Sequence, residues 1–270
     1  MARPYPNFQL THAGGVARVM IDRPGKRNAL TVEMWRGLAD ICAELAADRE
    51  LRAVVLSGAG PSFCAGADIS ALSEDDDTMK AVVGRAEQAL RNLAVPTIAR
   101  ISGHCMGGGT QLAVACDLRI ADDTALFAVP PAKLGVIYAV SPTRALVDLI
   151  GPAAAKRLLF TAEVMDGPAA LRLGLVDETV AARDLDAAVD RLVAQLLALA
   201  PMTQLAAKEL INAITDGSGG SDGSGEPDGS GEPDAIYERW MGEWRRSPDG
   251  AEGPRAFLER RPPRFGWRAD

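Results

Sequence analysis

The chain has 270 residues, of which 47% are hydrophobic and 24% are charged, and its formal net charge is −7. A chain of this length and composition can bury the core of one large domain or two smaller ones, which excludes a disordered or fibrous protein. No apolar run reaches the ~18 to 20 residues that cross a bilayer, and the N-terminus lacks the pattern of a signal peptide. We therefore expect a cytoplasmic protein without a membrane partner. The absence of a Lys/Arg-rich patch also argues against a nucleic-acid partner.

The four cysteines, Cys42, Cys64, Cys105 and Cys116, do not form a CxxC pattern or a Cys/His pattern with zinc-ligand spacing. This spacing argues against both a disulfide framework and a structural metal site. We expect reduced, mostly buried thiols and no bound metal.

The first predicted elements are a strand at residues 16–22 and a helix that follows it. Thr31 is the predicted N-cap, Glu33 lies in the first turn, and the helix is expected to run to about Ala47. Apolar residues at spacings of three and four predict one buried helix face: Met34, Leu38, Ile41 and Leu45.

Further along the chain, short apolar runs predict strands at residues 52–58, 97–103, 118–121 and 175–180. Strands that alternate with helices over about the first 180 residues favour an α/β layered fold over a sandwich or a bundle. After Asp184, amphipathic patterns predict that the C-terminal third is helical, with Pro201 at the start of one helix.

Residues 216–234 depart from this pattern and contain the hexad DGSGEP twice. The segment has no side chain able to offset the ordering entropy of a packed core, so we predict a flexible insert. Residues 219–223 match the GxSxG pattern of serine hydrolases, but that motif needs a rigid strand-to-helix turn and a nearby histidine. The chain has only His12 and His104, and we discount the match.

Two glycine-containing loops follow predicted strands, at residues 57–72 and 101–118. In the second, three glycines precede a helix whose first N–H groups can bind negative charge. FCAGADI, then GxxxGGGxxLAxxCDxRIA, LGV and TAExMDGPAALRLGLVDE resemble the crotonase, or enoyl-CoA hydratase/isomerase, superfamily. The resemblance spans nearly the whole chain and omits only the insert.

The resemblance implies an α/β fold, a crotonase-type ββα spiral core with a C-terminal α-helical trimerisation region. We place the core and its acyl-CoA site in residues 1–195 and the helical region in residues 196–270. The expected partner is an acyl-CoA thioester, the expected assembly is a homotrimer or a dimer of trimers, and no cofactor beyond the substrate's own coenzyme A is implied.

The resemblance also assigns residues to the site. Its oxyanion hole falls on the backbone N–H groups of Ala67 and Gly108, which would stabilise the charge that develops on a thioester oxygen. The residues implied in coenzyme A binding are Lys26, Arg27, Ala29, Ala65 and Arg261.

The sequence departs from the hydratase pattern at both acids of the family, where it has Gln111 and Pro131. Neither can act as a general base, and each such group is worth ~10² to 10⁴ in rate. Tyr138 follows LGV, as in methylmalonyl-CoA decarboxylases, and could orient a departing carboxylate. The sequence thus favours decarboxylation of a malonyl-type CoA.

Three alternatives remain open at this stage. The first is a hydratase or isomerase that uses a non-standard acid, for which His104 or the acidic run at residues 74–77 would be next in line. The others are a thioester hydrolase and a catalytically silent CoA-binding subunit.

Overall fold

The computed structural model of the chain describes residues 5–68, 76–217 and 232–268. The strands are β1 (Phe8–Ala13), β2 (Val16–Ile21), β3 (Ala53–Gly58), β4 (Thr97–Ile101), β5 (His104–Met106), β6 (Leu118–Asp122), β7 (Leu126–Ala128), β8 (Met165–Asp166) and β9 (Glu178–Val180). The helices are α1 (Val32–Ala46), α2 (Asp76–Arg91), α3 (Gly108–Ala115), α4 (Pro131–Leu134), α5 (Val140–Thr161), α6 (Gly167–Leu173), α7 (Leu185–Ala198), α8 (Pro201–Gly217), α9 (Pro233–Arg246) and α10 (Asp249–Leu258).

The larger sheet has the strand order β1-β2-β3-β4-β6-β9, and the smaller one has the order β5-β7-β8. In the larger sheet β1 pairs with β2 antiparallel, and every other neighbouring pair is parallel. Parallel strands need crossover connections, and the helices that follow them cover the sheet. The predicted α/β spiral with a helical C-terminal region is confirmed.

Helix α1 begins where the sequence predicts. The Thr31 side chain accepts a hydrogen bond from the Met34 N–H at 3.3 Å, which caps one of the free donors of the first turn. All four residues of the predicted apolar stripe are at most 1% exposed and belong to the main core. The amphipathic pattern therefore fixes which face of α1 packs on the sheet.

The opposite face of the sheet is covered by α7. Leu185, Val189 and Val193 pack against a second group of buried side chains that includes Val55 and Ile98 from β3 and β4. Helices α8, α9 and α10 follow, so the C-terminal region is helical as expected. The domain boundary at residue 195 and the oligomeric state stay predictions.

Several boundaries differ from expectation. Strand β1 was not predicted, and the strand predicted at residues 175–180 is limited to β9. The proposed insert at 216–234 was placed too wide, because Asp216 lies within α8 and Asp234 within α9. Residues 218–231, including the GxSxG match, lie outside the described residues. Within the described ranges, no helix combines the length and apolarity that a bilayer crossing requires.

All four cysteines are free and buried, as predicted. Cys64 and Cys105 lie side by side in a parallel bridge between the loop after β3 and strand β5. Burial raises the pKa of Cys42, Cys64 and Cys116 to about 12 and that of Cys105 well above its ordinary value. The thiols are therefore protonated at neutral pH.

Candidate active site

Both glycine-containing loops open onto one cavity of about 340 Å³, which we call the front cavity. Its walls are residues 65–67, one face of α2, the start of α3, and residues from the segment 130–142. Most of this lining is apolar, with side chains such as Met79, Val83 and Leu134. An apolar cavity with a few polar groups is the usual form of a small-molecule site.

Ala67 and Gly108 both line this cavity, and neither backbone N–H donates to another described residue. Leu30 pairs with the neighbours of Ala67: its N–H donates to the Gly66 carbonyl, and its carbonyl accepts from the Asp68 N–H, both at 2.8 Å. Gly108 is the first residue of α3, where a helical N–H has no carbonyl within the helix. Two free donors are thus held rigidly by the backbone.

The two donors lie close together because Gly66, which precedes Ala67, and Gly108 itself carry no side chain. A Cβ built on Gly108 would lie 3.4 Å from the Ala67 nitrogen and 3.0 Å from Trp35 Cζ2. A Cβ on Gly66, whose φ is +97°, would lie 2.7 Å from the Met106 carbonyl oxygen and 3.1 Å from the Gly108 nitrogen. Side chains at these positions would push the loops apart, so glycine permits the paired donors.

A buried carboxylic acid, Glu87 of α2, lines the same cavity. It is 4% exposed, and burial raises its pKa from 4.5 to about 7, despite the opposing effects of the Arg91 charge and a hydrogen bond with Ser141. Its Oε2 atom has no hydrogen-bond partner among the described residues. Among the described residues that line the front cavity, Glu87 is the only carboxylic acid.

Sequence analysis missed Glu87, although α2 carries a signal for it. Met79, Val83, Ala86 and Leu90 form the apolar stripe of this helix, and Glu87 lies on the same face, four residues after Val83. A carboxylate on a buried face is costly unless it is paired, shifted in pKa or functional.

The three residues that distinguish this sequence from the family pattern also meet here. Gln111, Pro131 and Tyr138 all line the front cavity. The Tyr138 hydroxyl hydrogen-bonds Gln111, while burial and the nearby Glu87 carboxyl raise the tyrosine pKa well above its ordinary value. Tyr138 is therefore a neutral hydroxyl beside the buried acid.

The loop that follows β2 packs directly against the first glycine-containing loop. The Ala65 N–H donates to the Arg27 carbonyl at 2.9 Å, and Arg27 adopts a left-handed conformation with φ of 48°. Lys26 and Arg27 are exposed, whereas Arg23, also basic, forms an ion pair with Asp68 at 2.7 Å. Lys26 and Arg27 are thus the exposed basic residues of this loop, and their binding to a ligand phosphate stays a prediction.

Two further residues proposed for coenzyme A binding are Ala29, which lies in this loop, and Arg261, which does not. The Ala29 carbonyl accepts a hydrogen bond from Arg23 Nη1 at 2.9 Å, which fixes the loop backbone. Arg261 does not line the front cavity of its own chain: its guanidinium binds Glu252 at 2.6 Å and Glu259 at 2.6 Å. Of the five residues proposed for coenzyme A binding, Ala65 alone is among the described residues that line the front cavity, and the coenzyme A role of all five stays a prediction.

His104, an alternative proton-transfer residue considered from sequence, does not line the cavity. It lies in β5 and contacts the Ser62 hydroxyl at 3.3 Å. Of the acidic run, residues 74 and 75 lie outside the described residues, and residues 76 and 77 begin α2. The described residues contain no cluster of three or more metal-ligating side chains.

An α/β spiral whose loops hold two free N–H groups and a buried acid at one apolar cavity has the arrangement of an enzyme that stabilises an oxyanion. The model of the enoyl-CoA hydratase/isomerase family matches residues 11–268. The chain belongs to this family.

Relatives agree with that assignment. The chain is 36% identical to the short-chain-enoyl-CoA hydratase of Clostridium acetobutylicum over 76% of this chain and 81% of that protein. It is 31% identical to the carnitinyl-CoA dehydratase of Proteus mirabilis over 96% and 98% of the two chains. A solved structure of an enoyl-CoA hydratase/isomerase family member superposes with a TM-score of 0.87 at 35% identity and covers 97% of this chain and 99% of its own. The two named enzymes are a hydratase and a dehydratase, and neither name supports the predicted likeness to decarboxylases.

Proposed function

We propose that this protein adds water to, or removes it from, an acyl-CoA thioester, or moves its double bond, with Glu87 as the proton-transfer group. This adopts the alternative in which a non-standard acid replaces the two acids of the family. The observation that supports it is the position of Glu87, which lines the same cavity as the Ala67 and Gly108 N–H groups.

One carboxyl group can supply the proton transfers of hydration. The Glu87 carboxylate takes a proton from water as the water oxygen bonds to the β-carbon, and the C=C electrons move to the thioester oxygen. The N–H groups of Ala67 and Gly108 stabilise that oxyanion. Glu87 then returns the proton to the α-carbon as the enolate collapses. A pKa of about 7 suits a group that must both accept and donate a proton at neutral pH.

The same residues also fit isomerisation. Glu87 would take the α-proton of a 3-enoyl thioester, the N–H pair would hold the resulting dienolate, and the proton would return to the γ-carbon. Hydration and isomerisation share the enolate and the proton carrier, and they differ in whether water reaches the β-carbon.

The test is hydration of crotonyl-CoA by wild type and by Glu87→Gln, which keeps the shape of the side chain but not its proton. We expect wild type to hydrate crotonyl-CoA and the variant to lose at least ~10² in kcat, with KM changed by less than about threefold. Glu238→Gln, at an exposed glutamate of α9, is the matched control and should keep wild-type rates. Equal kcat in wild type and Glu87→Gln would refute the assignment.

Decarboxylation of a malonyl-type CoA is the second candidate, supported by the presence of Pro131 and Tyr138 in the cavity wall. Loss of CO₂ generates the enolate without a strong base. The reaction would instead need a group that holds the departing carboxylate, and Tyr138 would have that role. In this case methylmalonyl-CoA should release CO₂, and Tyr138→Phe should slow that release at least tenfold. Release of free coenzyme A, or no reaction with either substrate, would favour the hydrolase or the silent subunit.

A further inference from the structure

Glu87 also lines a second cavity, of about 460 Å³, on the other side of α3. We call this the rear cavity; its walls come from α2, the end of α3, α5 and α8. Unlike the front cavity, it is bordered by several charged side chains, among them Arg91, Asp117, Asp148 and Lys208. Although most of its lining is apolar, the cavity is open to solvent and has room for several water molecules.

Three side chains of the rear-cavity wall carry buried polar atoms without a hydrogen-bond partner among the described residues: Glu87 Oε2, Arg119 Nε and Gln204 Oε1. Buried polar atoms are nearly always satisfied by protein or by ordered water. All three atoms belong to side chains of one cavity wall, and the cavity is open to solvent, so its water is the nearest source of a partner for Glu87 Oε2.

A narrow crevice, too small to hold a water molecule, shares lining residues with both cavities. Gln111 and Tyr138 line both the crevice and the front cavity, and Val114 lines both the crevice and the rear cavity. Among the described residues, Glu87 is the only one that borders all three spaces. An acyl chain in the front cavity would displace water from that side of Glu87 and leave its rear side hydrated.

We infer that Glu87 relays protons between the two cavities: it exchanges a proton with the α-carbon of a bound acyl-CoA in front and with water of the rear cavity behind. The inference rests on the proposed role of Glu87 and adds a route by which its proton reaches solvent while substrate closes the front.

The steps balance without another reactant. The Glu87 carboxylate takes a proton from the α-carbon, which becomes the enolate, and Glu87 becomes a carboxylic acid. That acid gives its proton to a rear-cavity water and receives another from the same hydrogen-bonded water. It then returns this second proton to the α-carbon. The ligand has exchanged one α-hydrogen with solvent without leaving the protein.

An isotope-trapping experiment tests the relay. Excess protein is mixed with butyryl-CoA deuterated at the α-carbon, then diluted into ordinary water with a large excess of unlabelled butyryl-CoA. Mass spectrometry measures how much labelled ligand has lost deuterium before release. We expect wild type to exchange deuterium within the trapped complex, and Glu87→Gln to lose that exchange at least 100-fold.

The rear cavity is then filled by Ala145→Phe, at a half-buried position of α5 that lines the rear cavity and not the front one. Trapped exchange should fall at least tenfold, while hydration of crotonyl-CoA, which needs no net exchange with solvent, stays within about threefold. Asn212→Leu, from α8, fills the same space and replaces Ala145→Phe if that variant fails to fold. Ala47→Phe, which fills a remote cavity beside α1, should change neither rate.

The outcomes separate the two claims. Unchanged exchange in folded rear-cavity variants would overturn the relay and leave the proposed function intact. Exchange in wild type that does not depend on Glu87 would contradict both claims, and no exchange at all would overturn the relay alone. Parallel loss of exchange and hydration would assign the rear cavity to packing and overturn the relay.

Discussion

The buried position of Glu87 predicts that this residue makes the fold less stable as pH rises. Its pKa is about 7 in the folded protein and 4.5 without burial. Between these values the unfolded chain loses the proton while the folded protein still holds it, so the free energy of unfolding falls as pH increases. At ~1.4 kcal/mol per pH unit, the gap corresponds to about 3 kcal/mol, lost mostly between pH 5 and pH 7.

The change that isolates this effect is Glu87→Gln, because glutamine cannot ionise. Denaturant unfolding of wild type and variant at pH 5, 6, 7 and 8 gives the difference in unfolding free energy at each pH. Any constant cost of the amide, such as an altered hydrogen bond with Ser141, cancels in the pH dependence. We expect the variant to gain about 2 to 3 kcal/mol relative to wild type from pH 5 to pH 8. Exposed Glu238→Gln should show a flat difference.

A flat difference for Glu87→Gln as well, within ~0.5 kcal/mol, would mean that Glu87 is ionised in the folded protein at all these pH values. The carboxyl would then be better solvated than its 4% exposure implies, and its role as a proton carrier near neutral pH would lose its physical basis. The same titration should appear in catalysis: kcat/KM for hydration should rise through pH ~7, since the carboxylate is the form that accepts a proton from water.

Two further substitutions test the backbone donor at Gly108 and the ion pair of Lys208. Gly108→Ala should reduce kcat at least ~10²-fold, because the new methyl would lie 3.0 Å from Trp35 Cζ2 and 3.4 Å from the Ala67 nitrogen and would displace a donor. The control Gly266→Ala, with no atom near its added methyl, should leave kcat unchanged. If Gly108→Ala kept more than a tenth of the wild-type kcat, the assignment of the donor would be contradicted. Lys208→Met should cost about 1 to 2 kcal/mol in denaturant unfolding, because Nζ of this largely buried lysine binds Asp117 at 2.7 Å and ties α8 to the core, and a loss under 0.5 kcal/mol would make the pair neutral.

Sequence reasoning predicted the parts of the fold that local patterns determine. Thr31 and the apolar stripe of α1 specify where the helix begins and which face it buries. Strand β1 was missed because its outer half is exposed: His12 and Ala13 pair with β2 at the sheet edge without the alternating burial that marks a strand. Its place is set by pairing, which sequence patterns record weakly.

The candidate site also contains residues to which sequence motifs point and one, Glu87, to which they do not. Ala67 and Gly108 were assigned through the resemblance to the family, and the close backbone approach at Gly66 and Gly108 is compatible with that assignment, which stays a prediction. The pattern of α2 marks Glu87 as an acid on a buried face, but its proximity to the glycine loops depends on how α2 packs beside α3, and no fixed spacing relates it to them. The presence of Gln111 and Pro131 in place of the family's two acids predicted a change of chemistry. The carboxyl group that we propose instead, that of Glu87, lies on another helix, α2.

The burial of Cys42, Cys64, Cys105 and Cys116 makes the chain convenient for spectroscopy. Maleimides and other thiol reagents attack exposed thiolates, and here all four sulfurs are protonated and shielded at neutral pH. A single cysteine introduced at the exposed Lys26, for example, would be the one site labelled in the native protein, with no need to replace the original four. A fluorophore there would lie in the loop that packs against Ala65 of the front-cavity wall, and it would report a ligand that contacts this loop.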